Sequence, residues 1–147
     1  MKSKNELNEP ALTYGLMGSK DLFTTDVFRL VQMVREGIAF NVFTQLIKKI
    51  PFSIQEWSHY LHLSERTMQR YQKEEKTFDV THSERIVQIA MLYNYGITVF
   101  GSQDNFDTWL SSKSIALASK PKDLLDNVFG IELVNDELSK IEHGVFA

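Results

Sequence analysis

Residues 53–73 run SIQEWSHYLHLSERTMQRYQK, two short helices with a tight turn between them. Ser53 and Glu56 form a capping box, in which the Ser hydroxyl accepts from an early backbone N–H and the Glu reaches back to the cap. The helix opened by this box carries Ile54, Trp57, Tyr60 and Leu61 at helical spacing, an apolar face. His62-Leu63-Ser64 is the turn, and Ser64 caps a second helix from Glu65 to about Lys73. In that helix Met68, Tyr71 and Thr67 face inward, which leaves Glu65, Arg66, Gln69, Arg70 and Lys73 outward.

Two short helices, a tight turn and a polar second helix are the helix-turn-helix arrangement. The outward set suits a major groove, because Arg reads guanine O6 and N7 bidentately and Gln reads adenine N6 and N7. Ser64 and Lys73, with Lys48 or Lys49, suit phosphate contacts, which set position rather than sequence preference. The DNA-binding residues expected from the pattern are therefore Ser64, Glu65, Arg66, Gln69, Arg70 and Lys73. The same stretch also reads as two helices of an ordinary bundle with a solvated face. Residues 48–76 hold six basic and four acidic groups, a net of +2. One copy should bind DNA weakly, and a dimer reading two half-sites would double the contacts.

Upstream, Val27, Leu30, Val31, Val34 and Ile38 form one stripe, with Thr25 or Asp26 to cap it and Gly37 to end it in a left-handed turn. Val42, Phe43, Leu46, Ile47 and Ile50 form another, closed by Pro51. Downstream, a polar stretch over residues 73–80 leads to a helix starting at Ser83 and carrying Ile86, Ile89, Ala90 and Tyr93 before Gly96. Asp104 or Asn105 is placed to cap a short helix with Phe106, Trp109 and Leu110. Pro121 sits where a first-turn proline belongs. A last amphipathic helix uses Leu133 or Val134, Leu138 and Ile141, and stops at Gly144. No strand alternation competes, so the fold class is all-α. The organisation expected is an N-terminal arm over 1–23, a helical domain over 24–97 containing the helix-turn-helix (about 53–73), and a small helical module over 98–147.

The whole sequence sets outer bounds on function. It has 147 residues, a formal charge of -3 and no cysteine. That is enough chain for a real core, and it excludes disulfide scaffolds, thiol catalysis and Cys-ligated zinc. Cysteine-free composition suits the cytosol. No apolar run approaches the ~20 residues of a membrane helix, and the first residues lack a secretory signal's apolar stretch. Charge is uneven: residues 1–100 hold 12 Lys and Arg against 11 Asp and Glu, whereas 101–147 hold 4 against 8. Such asymmetry points to two different partners, although short segments also fluctuate by a few charges.

Glu56, His59 and His62 can be sketched as a metal site, but three residues at i, i+3, i+6 drift about 60° off one face. His82 reads as a capping-region residue, and His143 as a favourable charge at a helix C-terminus. Gly15-Leu16-Met17-Gly18-Ser19-Lys20 lacks the spacing of a phosphate loop, and no nucleophile elbow or HExxH is present. The chain is expected to be no enzyme and to need no metal or cofactor.

The run Ser64-Glu65-Arg66-Thr67-Met68-Gln69-Arg70 resembles the recognition segment of Xre/ParS-type antitoxins, in which a helix-turn-helix precedes an MbcA-like toxin-binding domain. The C-terminal third resembles that domain in order and spacing: Val99-Phe100-Gly101, Trp109-Leu110, Ala116-Leu117, Pro121 with Asp123-Leu124-Leu125, then Gly130, Val134, Leu138, Ile141-Glu142 and Gly144-Val145-Phe146-Ala147. Leu16-Met17-Gly18 and Arg35-Glu36-Gly37 resemble its N-terminal part, so the likeness covers most of residues 14–147. The sequence departs from the family at Lys113-Ser114, where the family has Pro-Asn, and at Ala118-Ser119, where it has paired glycines. The segment before Pro121 is one residue shorter.

The resemblance implies a type II antitoxin encoded beside a toxin, usually a RES-domain enzyme that degrades NAD. It implies a homodimer that represses its own operon through operator DNA and blocks the toxin with its C-terminal module. Glu142, His143, Val145, Phe146 and Ala147 are the residues it points to for toxin binding, with Ile141 turned to the core and Phe146 to the partner. Glu132, Asp136 and Glu142 would steer a basic rim. The alternatives are a DNA-binding transcriptional or segregation-type regulator without a toxin, and a helix-turn-helix kept only as a dimerisation scaffold.

Overall fold

The computed structural model describes residues 27–144, which form seven α-helices and one 3-10 turn. In chain order these are α1 (Val27–Glu36), α2 (Phe40–Ile47), α3 (Ile54–Leu61), α4 (Glu65–Lys73), α5 (Val80–Phe100), α6 (Gln103–Ser111), the 3-10 turn Pro121–Leu124, and α7 (Val128–Glu142). Apart from two isolated bridges, Ala39 with Thr77 and Ser114 with Ser119, no strand pairing occurs among the described residues. The arm over 1–23 and the caps Thr25 and Asp26 lie outside them.

Helix α5 is the organiser. Its 21 residues pack against α1 and α3 on one side of the molecule and against α6 and α7 on the other. It is longer than the sequence pattern suggests at both ends. Asp79, not Ser83, caps it, accepting from the His82 amide. Ser83 is instead fully buried inside the first turn; its Oγ accepts from Ile38 N at 2.9 Å and donates to Phe78 O at 3.2 Å. A serine that reads as a cap is thus a buried polar tie between α5 and the loop after α1. Nor does Gly96 end the helix. It lies inside α5 because the ring of Phe106 occupies the space a Cβ would take, 2.0 Å from its ideal position.

The N-terminal half is built around aromatic rings. Phe40, Phe43 and Phe78 pack together at centroid distances of 5.2 to 5.8 Å, and Trp57 meets Phe43 edge-on. Phe78 comes from the stretch that reads as polar. It is held there by Phe78 N donating to Ile38 O and Phe40 N donating to Lys76 O. Gly37 makes that approach feasible: its φ is +85°, and a Cβ would sit 2.4 Å from Phe78 O. Several apolar positions of the sequence stripes prove exposed, including Val27, Val31 and Ile54. Met33 supplies the buried contact of α1 instead, flanked by Leu30 and Val34 at i-3 and i+1.

The C-terminal half closes over Leu125. Ser102 caps α6, ahead of Asp104 and Asn105, and Phe106 and Leu110 are buried. Asn127 caps α7, whose Ile131, Val134 and Leu138 face the core, so Val134 rather than Leu133 is the buried member of that pair. Gly130 lets α7 start against the 3-10 turn; a Cβ there would lie 1.8 Å from Leu124 O. The departure at Ala118 has a backbone signature: with φ of +53°, it keeps a left-handed conformation with an alanine side chain. The loop around it is closed by Ser114 N donating to Ser119 O and places Ile115 fully in solvent.

Candidate functional site

Two surfaces carry the residues singled out by the sequence. The first is α3–turn–α4. Ser53 Oγ accepts from Glu56 N at 3.0 Å, and Glu56 Oε1 accepts from Ser53 N at 3.1 Å, which completes the capping box. Trp57, Tyr60 and Leu61 are buried on the inner side of α3. His62 ends α3 in a left-handed conformation, φ 56°, and Leu63 N donates to Ser58 O. Ser64 then caps α4, accepting from Thr67 N at 3.0 Å. Its hydroxyl hydrogen goes to Thr67 Oγ1, so Ser64 shapes the start of the helix while staying exposed.

On α4, Met68 is buried and Thr67 and Tyr71 are half-buried, whereas Glu65, Arg66, Gln69, Arg70 and Lys73 are exposed together on the outer side. None of Arg66, Arg70 and Lys73 takes part in an ion pair among the described residues. The Arg70 guanidinium lies 5.8 Å from the Tyr71 ring centroid, a cation–π distance that keeps it close to the helix. Chemically, α4 offers two guanidiniums and an amide on one face, the donors that base edges and phosphates accept from. Lys48 and Lys49 are also exposed.

The helix-turn-helix is tied to the C-terminal half at its turn. The His62 ring Nε2 is 2.6 Å from the Asp126 carbonyl oxygen, to which it donates when the proton is on that nitrogen. His59 Nε2 stands 3.8 Å from the Asp126 carboxylate, and Lys122 pairs with Glu56 at 3.4 Å. The residues that resemble a metal set are thus a seam between two halves. No group of three or more His, Cys, Asp or Glu suited to a metal occurs among the described residues.

The second surface is α7 together with the residues after it. His143 is exposed, and its ring Nδ1 lies 2.7 Å from Ser139 O, close to the last carbonyls of the helix. Glu142 is exposed but turned to Tyr95: burial and the hydrogen bond to that carboxylate hold the Tyr95 phenol above its ordinary pKa. Ile141 is half-buried. Val145, Phe146 and Ala147 lie outside the described residues. The sequence reading missed the apolar side chains that α7 shows to solvent, Val128 at 37%, Phe129 at 74% and Leu133 at 53% exposure. Phe129 and Leu133 at i, i+4, opposite the stripe of Ile131, Val134 and Leu138, carried that signal in the sequence.

A helix-turn-helix with an exposed basic face is fused through one long helix to a second helical module. The chain matches the family model for the antitoxin Xre-like helix-turn-helix domain over residues 29–91. It matches the antitoxin Xre/MbcA/ParS C-terminal toxin-binding domain over residues 96–144. Together these cover most of the sequence, and the chain belongs to the Xre/ParS-type antitoxins. Among curated proteins compared individually, none matches it. The first matched region ends and the second begins inside α5.

Proposed function

We propose that this chain is a type II antitoxin that neutralises a RES-type, NAD-degrading toxin and represses its own operon as a homodimer. The observation that carries the reading is the union, on one continuous helix, of an antitoxin helix-turn-helix with a toxin-binding domain. The RES assignment rests on the resemblance of the C-terminal pattern to MbcA-like domains. Repression rests on the exposed basic face of α4, and dimerisation on the small net positive charge of one copy, which two half-sites would double. In this reading Arg66, Gln69 and Arg70 read bases, and Ser64 and Lys73 contact phosphates. The residues after α7, Val145 to Ala147, enter the toxin's active-site cleft, with His143 at its rim. The protein acts by occupancy in the cytoplasm and catalyses nothing. No helix among the described residues is long and apolar enough to cross a membrane.

The test is co-expression with the product of the adjacent open reading frame. A stable complex, growth rescue and protected cellular NAD are the expected outcome. A complex with rescue but unchanged NAD levels in the free toxin's presence would replace the RES assignment. No complex and no toxicity would leave a DNA-binding regulator without a toxin.

A further inference from the structure

The helix α7 buries one side and shows large apolar groups on the other. At about 100° per residue, Phe129, Leu133, Asp136, Lys140 and His143 share one outer strip, with Glu132 at its edge. Ile131, Val134 and Leu138, each at most 3% exposed, occupy the opposite side against the core. The core therefore has no use for Phe129 and Leu133, and two adjacent exposed groups of that size mark an interaction surface. The strip runs lengthwise toward the C-terminal end of α7 at Glu142.

We propose that the Phe129–Leu133 face of α7 is a toxin-docking surface, distinct from the tail, that seats in an apolar depression edged by basic groups. This rests on the antitoxin reading. Two observations choose the toxin over a second copy of this chain. The face lies within the region matched by the toxin-binding domain. It is also rimmed by acid: α7 carries Glu132, Asp136, Glu137 and Glu142 against Lys140 alone. A two-fold packing of α7 on itself would bring together two helices that each carry four acids and one lysine, an excess of negative charge that Lys140 only partly offsets, whereas a basic rim pairs with it. Phe129 and Leu133 then act as anchors, the acids setting orientation and association rate.

The experiment measures binding of full-length protein to the purified product of the adjacent open reading frame, by biolayer interferometry. Phe129→Ala and Leu133→Glu, separately, are expected to raise Kd at least tenfold through faster dissociation. Glu132→Lys with Asp136→Lys should slow association and flatten its salt dependence. Both apolar sites are exposed, so unchanged thermal midpoints are expected, and Phe129→Ser serves as a second probe if one variant misfolds. Variants that bind like the wild type would overturn the docking face and leave the antitoxin reading standing. A wild-type chain that does not bind would overturn both. Loss of self-association in Leu133→Glu without any change in toxin affinity would assign the face to a second copy and overturn the proposal.

Discussion

Replacing Gly96 with alanine tests how α5 and α6 meet, because two effects oppose each other in sign. Taken as a helix position alone, Gly96 is a poor residue. It sits within a 21-residue helix, and Ala there is worth about 1 kcal/mol of helix propensity. Against that stands the Phe106 ring. An added methyl would meet three of its carbons, at 2.0, 2.2 and 2.4 Å, far inside van der Waals contact. Phe106 has nowhere to go: it is fully buried and touches the rings of Tyr93, Phe100 and Trp109 at centroid distances of 5.3 to 6.0 Å. Over-packing of this kind costs about 1–3 kcal/mol, and the depth of the overlap puts it at the upper end.

The net expectation for Gly96→Ala is a loss of about 2 kcal/mol, a fall in Tm of roughly 4–8 °C for a chain of this size. Calorimetry or denaturant unfolding of the single variant gives the sign. Phe106→Leu on its own should destabilise through a lost aromatic contact and a small cavity. Combined with Gly96→Ala, it should cost less than the sum, because the smaller side chain vacates the space the methyl needs. A rise in Tm for Gly96→Ala, or strict additivity of the pair, would refute the close approach.

Other expectations are independent of that contact. Ala118→Gly relieves a left-handed alanine that costs about 1–2 kcal/mol, and loses about 0.4–1 kcal/mol through the looser unfolded chain. Tm should therefore rise by a few degrees, and a fall would show that the loop conformation at φ +53° is not populated. Tyr60 and Tyr93 are held neutral well above the ordinary phenol value of 10.0, both chiefly by burial; the Asp107 hydrogen bond adds to it at Tyr93, and nearby acids such as Glu56 at Tyr60. A raised pKa of an acid means the folded state keeps its proton longer, so the stability it contributes is intact below pH 10 and drains away as pH rises further. Phenolate absorbance from these tyrosines should appear together with unfolding; smooth titration in the folded protein would contradict their burial. Finally, Arg66→Ala or Arg70→Ala should weaken operator binding, with a cost of about 1–3 kcal/mol and relaxed base preference if the contact is to a base. Toxin neutralisation should persist, and its loss in either variant, measured by growth rescue, would contradict the separation of the two surfaces.

Much of this protein is local in origin and therefore legible in its sequence. The capping box at Ser53 and Glu56 and the cap at Ser64 involve residues three apart, so their geometry derives from neighbours alone. The left-handed stop at Gly37 is local in its hydrogen bonds to Met33 and Val34, although Phe78 also needs the room it leaves. The outward set on α4 comes equally from helical period, since Met68 fixes which side is in. The fused pattern of helix-turn-helix and toxin-binding domain is likewise a linear arrangement.

What only the tertiary structure decided are the places where one segment meets another far along the chain. Ser83 reads as a cap and is a buried tie because Ile38 and Phe78 bring a donor and an acceptor to it. Gly96 reads as a terminator and is a slot for the ring of Phe106 on the next helix, which no local propensity encodes. Phe78 hides in a polar stretch whose backbone pairs with residues 38–40. The choice between Leu133 and Val134 obeys the same logic. Both fit the helical period, and only the position of the core against α7 determines that Val134 is buried and Leu133 is left in solvent. Helical periodicity supplies two candidate faces, and the packing of the rest of the chain selects between them.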